Sequence, residues 1–157
     1  MATTTCPSSC RRSAVSPIAA AEAFERAPLL AERVGEGDPE TLIARARDII
    51  ATMTEAQQIA VLNAHPPIGS TTGLSARSSA EQRAREPAAR ATLDALVRLN
   101  ADYERRFGFR FVVFVAGRSR ADIVPVLRAR LERSRADELA TGIDEFLAIA
   151  RDRLMSG

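Results

Sequence analysis

The sequence predicts an all-α fold, a single-domain helical bundle, on three observations. Apolar residues recur three and four apart through most of the chain, the spacing that gathers them on one face of a helix. Helix-start signals stand before several of these stretches, either a capping residue followed by proline or a capping box. Only one segment, Phe109 to Val115, has the β-branched and aromatic composition of a strand, and one strand alone cannot satisfy its own backbone groups.

Taken in order, residues 1–15 are polar, rich in Ser, Thr and Cys, and lack hydrophobic periodicity, so a disordered tail is expected there and the helical domain over 16–157. Ser16 and Pro17 read as the cap and first position of a short helix through Phe24 and Arg26. Pro28 to Val34 is a second short turn that ends at Gly35-Glu36-Gly37. Asp38-Pro39 is a stronger start, and Leu42, Ile43, Ala46, Ile49 and Ile50 then share a face. Thr54 and Gln57 fit a capping box for a helix through Ile59 and Leu62, which must stop near Ala64 because His65 precedes two prolines.

From Ile68 to Ser79 the chain is rich in Gly, Ser and Thr and is expected to form a surface loop. Ser78 or Ser79 can cap a helix beginning Ala80-Glu81-Gln82, and Pro87 either bends that helix or splits it from the next. Leu93, Leu96, Asn100, Tyr103 and Phe107 mark a long amphipathic helix that ends at Gly108. The run Phe109 to Val115 is read as a buried extended connector or a helix start. Beyond Gly117, helices resume through Ile123, Leu127 and Leu131, with Pro125 forcing a late start or a kink. A final helix is expected from about Arg135 to Met155.

Composition narrows the chemistry. The 157 residues carry 46% apolar and 27% charged side chains, values of a soluble globular domain, and the longest apolar run, Phe111 to Gly117, is far short of the ~20 residues a membrane span needs. The 22 basic residues are all arginine and are balanced by 20 acidic ones to a net charge of +2. They alternate with Asp and Glu through every helical segment, so neither a nucleic-acid nor a membrane partner is expected. The absence of lysine excludes a Schiff base to pyridoxal phosphate or to a carbonyl substrate. One histidine argues against a zinc or iron site, and Cys6 and Cys10 cannot complete a metal site or build a disulfide framework. No cofactor and no metal are expected, and the cytoplasm is the default compartment. Carboxylates, arginine, amides and one imidazole are what remains for catalysis.

Three places could carry it. His65, in Ala64-His-Pro-Pro-Ile-Gly69, is a catalytic candidate or simply the residue that terminates a helix. Ser78-Ser-Ala-Glu-Gln82 offers a carboxylate and an amide, but Ser-x-x-Glu is equally a capping box. Arg153 continues the series Leu139, Ile143, Phe146 and Ala150, so a guanidinium falls on a buried stripe. There it needs an anion or several acceptors, a partner such as Glu81, or an exit to solvent at the helix end.

Read together with Leu99-Asn-Ala-Asp-Tyr-Glu-Arg-Arg-Phe-Gly-Phe109, Phe24-Glu-Arg-Ala-Pro-Leu-Leu-Ala-Glu-Arg-Val34 and Ile149-Ala-Arg-Asp-Arg-Leu154, these stretches resemble the family of 2-oxo-4-hydroxy-4-carboxy-5-ureidoimidazoline (OHCU) decarboxylases, which close the route from urate to allantoin. The likeness extends from about Phe24 to Leu154. It implies a cofactor-independent carboxy-lyase acting on a small-molecule substrate, with His65, Glu81 and Arg153 as catalytic residues. Pro66, Ser78, Gln82 and the chain at Phe111, Val112 and Val113 would line the substrate site. Members of the family often pair as dimers, so a homodimer is admitted. The chain departs from the family pattern in its N-terminal segment, at Leu29 where tryptophan is common, and in a shorter loop between His65 and Glu81. A paralogous lyase for another small carboxylated or ureido compound and a non-catalytic helical binding module are the competing expectations.

Overall fold

The computed structural model describes residues 21, 23–24, 27–68 and 87–156. The expected tail with Cys6 and Cys10, the cap at Ser16-Pro17, and the stretch holding Ser78, Glu81 and Gln82 lie outside these residues. Within them the chain is helical, with no strand: α1 Pro28–Val34, α2 Pro39–Ala51, α3 Glu55–Ala64, α4 Pro87–Phe107, α5 Arg120–Leu131 and α6 Arg135–Ser156. Helix α1 packs on α2, α2 and α3 both pack on α6, and α4 packs on α5.

The start signals act as expected. Asp38 accepts the Thr41 amide at 3.2 Å and the Thr41 hydroxyl at 2.7 Å, and Leu42, Ala46 and Ile50 of α2 are buried, with Ile43 and Ile49 packed at the margin. At α3, Thr54 Oγ1 accepts the Gln57 amide while Gln57 Oε1 accepts the Thr54 amide, so two otherwise orphaned donors are paired. Gly108 closes α4 with φ +81° and donates its N–H to the Glu104 carbonyl at 2.8 Å. That left-handed position is one glycine occupies without a side-chain clash.

Of the two outcomes expected at Pro125, a late start or a kink, the late start is not observed, since helix α5 starts five residues before it. A second capping box explains this: Ser119 Oγ accepts the Asp122 amide at 3.3 Å and Asp122 Oδ2 accepts the Ser119 amide at 2.9 Å. The turn before it, Val115 to Arg118, has positive φ at both Ala116 and Gly117 and closes with Arg118 N–H on the Val115 carbonyl at 2.9 Å, as in a primed turn.

Helix α6 is the spine. Gly142 lets α3 approach it, because a Cβ there would sit 2.9 Å from Leu62 Cδ1. Its buried face also carries a charge, since Glu138 has 0% exposure and Arg130 of α5 only 5%. Glu138 Oε2 accepts from Arg130 Nε at 2.7 Å and from the Tyr103 hydroxyl at 2.6 Å. Arg133 brings Nη1 to 3.1 Å of Oε1 as an ion pair. Burial first, and then the bond to Glu138, push the Tyr103 phenol well above its ordinary value of 10.0. Phe111 lies under the Arg130 guanidinium at 4.7 Å, and edge-on contacts link Tyr103 to Phe107, Phe109 and Phe111.

Candidate active site

The site grows from the end of α3. His65 is its C-cap, with φ −73° and ψ 140°, the extended conformation that a following proline imposes. Its N–H still reaches the Leu62 carbonyl at 3.1 Å. The imidazole turns inward, is 8% exposed, and meets the Phe146 ring edge-on with centroids 5.4 Å apart. Past Pro66 and Pro67, the Ile68 carbonyl accepts from Asn100 Nδ2 at 2.9 Å, which anchors this segment to α4.

Opposite it runs the segment with strand composition. It is a buried connector and not a helix start: Phe109, Phe111, Val112 and Val113 are all in the core. Side chains from neighbouring elements supply part of the hydrogen bonding that a sheet would have provided. The Arg110 N–H is taken by Asn63 Oδ1 at 2.9 Å, the Val112 carbonyl by Arg130 Nη1 at 2.9 Å, and the Phe114 N–H by Glu145 Oε2 at 2.7 Å. Buried backbone groups left unpaired would each cost ~1 to 3 kcal/mol.

Between these two walls lie two adjoining hollows. One, of about 220 Å³, is lined by His65, Pro66, Pro67, Ile68 and Phe111 to Val113. The other, of about 460 Å³, runs from His65 and Val113 past Phe114 to Gly117 and out to Asp152 and Arg153. His65, Val113, Val115 and Ile149 border both. Apolar walls with a few polar groups at one end suit a small organic ligand.

Six of the residues singled out from sequence thus border these two adjoining hollows, Pro66, Phe111 and Val112 the smaller, Arg153 the larger, and His65 and Val113 both. Arg153 is half-buried and donates from Nη1 to the Ala23 carbonyl at 3.3 Å. Ser78, Glu81 and Gln82 fall outside the described residues. Ile149, Asp152 and the Val115 to Gly117 turn were not anticipated. Ile149 and Asp152 were legible, since they lie four and one residues before Arg153 on the same helix, whereas nothing local marks the turn. Leu29, at the position where tryptophan is common in the family, projects into solvent. Among the described residues no group of three or more His, Cys, Asp or Glu side chains is placed to hold a metal ion, and no helix is long and apolar enough to cross a membrane.

Known proteins share this arrangement of sequence. The profile of OHCU decarboxylases matches residues 14–155. A 2-oxo-4-hydroxy-4-carboxy-5-ureidoimidazoline decarboxylase of Haloferax volcanii is 32% identical over 139 residues, covering 85% of this chain and 83% of that one. A uric acid degradation bifunctional protein of a Bacillus species is 26% identical over 137 residues, or 83% of this chain and 27% of its own length. The fold is similar to the crystal structure of an OHCU decarboxylase in the presence of (S)-allantoin, with a TM-score of 0.68, 24% identity, and coverage of 88% of this chain and 96% of that one.

Proposed function

The chain belongs to the OHCU decarboxylase family, and we infer from that membership that it converts 2-oxo-4-hydroxy-4-carboxy-5-ureidoimidazoline to allantoin with loss of carbon dioxide, in the degradation of urate. The observation that carries the reading to the level of residues is the continuous hollow that has His65 in its wall and Arg153 at its far end.

The substrate carries a carboxylate and a hydroxyl on one ring carbon beside a C=N bond. When the bond to the carboxylate breaks, its electron pair forms a C=C bond in the ring and the C=N pair passes to the ring nitrogen, which takes a proton from solvent, so the ring serves as its own electron sink. Loss of the hydroxyl proton and protonation of the neighbouring carbon then yield the C=O and C–H of allantoin. In our reading the Arg153 guanidinium holds the anionic oxygens through its planar fork of donors. His65 and Glu81 move the two protons, one at the hydroxyl and one at carbon, and delivery to one face sets the S configuration. Gln82 reads the ureido or ring amides, with Ser78, Pro66 and the Phe111 to Val113 chain completing the walls.

The match over residues 14–155 supports one catalytic domain, taken as 16–157. A cytosolic location and pairing as a homodimer complete the reading. The first rests on a chain whose two cysteines build no disulfide framework, the second on the family resemblance.

Adding the purified protein to freshly generated urate oxidation products tests both levels. The wild type is expected to hasten decay of the transient absorbance and to yield optically active allantoin. His65→Asn is expected to lose ~10²- to 10⁴-fold in rate, the usual contribution of a positioned acid or base. A wild type without effect would overturn the substrate, in favour of a paralogous lyase or a binding module. A His65→Asn protein with native rate would overturn the site.

A further inference from the structure

We propose that Arg110 is a positioning residue for the reaction, acting through the main chain of His65. The inference rests on the assignment of His65 to catalysis. Arg110 interrupts an otherwise apolar connector, and its side chain is only about one-third exposed, at 36%. Its Nη1 donates to two carbonyls at the end of α3, Asn63 at 2.8 Å and His65 at 2.7 Å. Its own N–H is returned to Asn63 Oδ1 at 2.9 Å. Glu104 stands 3.9 Å from Nε on the outer side and steadies the guanidinium.

This clasp joins the two walls of the hollow at one point. A helix end leaves its last carbonyls without intrahelical donors and partly negative, so a fixed cation is the natural partner for them. Arg110 is followed directly by Phe111, and both Phe111 and His65 line the hollow. The Arg110 side chain thus directly ties the main chain that carries the imidazole to the start of the Phe111 to Val113 wall, alongside the Asn63 bond to the Arg110 N–H. Because the clasp is partly open to water, solvent can replace its hydrogen bonds at modest cost to stability, but solvent cannot hold the separation. Catalytic geometry is sensitive to such slack, with ~1 Å of displacement costing on the order of 10²-fold in rate.

The test compares Arg110→Gln, Arg110→Lys and, as a control on the exposed face of α4, Arg105→Gln. Arg110→Gln is expected to lose ~10-fold or more in kcat, with KM within about threefold and thermal stability nearly native. Arg110→Lys, which keeps the charge but not the fork, is expected to recover part of the loss. The chain has one histidine, so the imidazole Hε1 resonance reports on His65 alone. It is expected to shift and broaden in Arg110→Gln and to stay unchanged in the control. A folded Arg110→Gln protein with native kcat and a native His65 resonance would overturn the proposal. His65→Asn measured in parallel separates the two claims, since activity retained there removes the catalytic assignment while the resonance still reports whether Arg110 holds the imidazole.

Discussion

Glu138→Gln perturbs the most deeply buried charge among the described residues while changing almost no volume. The carboxylate accepts from Tyr103 and Arg130 on one oxygen and faces Arg133 on the other. The amide keeps one acceptor but turns a donor toward cationic Arg130 or Arg133, and Arg130, at 5% exposure, is left without a counter-ion in a low-dielectric setting. Breaking a buried pair in this way costs ~3 to 5 kcal/mol, which for a domain of this size lowers Tm by about 6 to 20 °C. The exposed pair Arg151 with Glu40, each side chain 55% accessible, is the internal comparison, where solvent screening leaves little net stabilisation. Urea denaturation of Glu138→Gln and Glu40→Gln should reproduce that gap. Replacing both Arg130 and Glu138 by methionine is expected to recover only part of the stability, because the desolvation penalty is removed but the Tyr103 hydroxyl and the Val112 carbonyl lose their partners. Activity should stay depressed in the double variant, since Arg130 Nη1 also holds the Val112 carbonyl in the wall of the hollow. A Glu138→Gln cost below about 1 kcal/mol would refute the reasoning.

Two further outcomes follow from the packing and the caps. Gly142→Ala would ordinarily gain ~1 kcal/mol in a helix, but here the new methyl meets fully buried Leu62, so a net loss of ~1 kcal/mol is expected. Differential scanning calorimetry should show Tm falling, and by less in a Leu62→Val background. Asp122 is held below its usual 3.8, first by the Ser119 hydroxyl and then by the Ser119 amide. A depressed folded-state value stabilises fully above 3.8 and is lost as pH falls through it. The Tm difference between wild type and Asp122→Ala should therefore be largest above 3.8 and shrink as pH falls below it; a gap that does not shrink in acid would argue against the carboxylate's part in the cap.

The helices were legible because their signals are local. Asp38 with Pro39, Thr54 with Gln57, and the four-and-three spacing along α6 each act within one or two turns, and the structure places α2, α3 and α6 accordingly. At Pro125 the late start was the wrong one of two local alternatives, because the cap at Ser119, six residues earlier, and not the proline, sets the start of α5. Local reading could not find Glu138 as a buried charge, because its partners Tyr103 and Arg130 lie 35 and 8 residues away.

His65, Pro66, Arg153 and the Phe111 to Val113 chain were nameable from sequence, through the family resemblance and the stripe on the last helix. What sequence determined by itself was the helical class, the end of α3 at His65, and a chemistry without lysine. The connector was decided only by tertiary structure. Residues 109 to 115 have the composition of a strand, and in isolation their backbone groups have nowhere to bond. Phe109 and Phe111 to Val113 lie buried without a sheet because Asn63, Arg130 and Glu145, at 47, 18 and 31 residues' separation, supply partners to the connector. Those long-range bonds, invisible to any local pattern, make the connector a wall opposite His65.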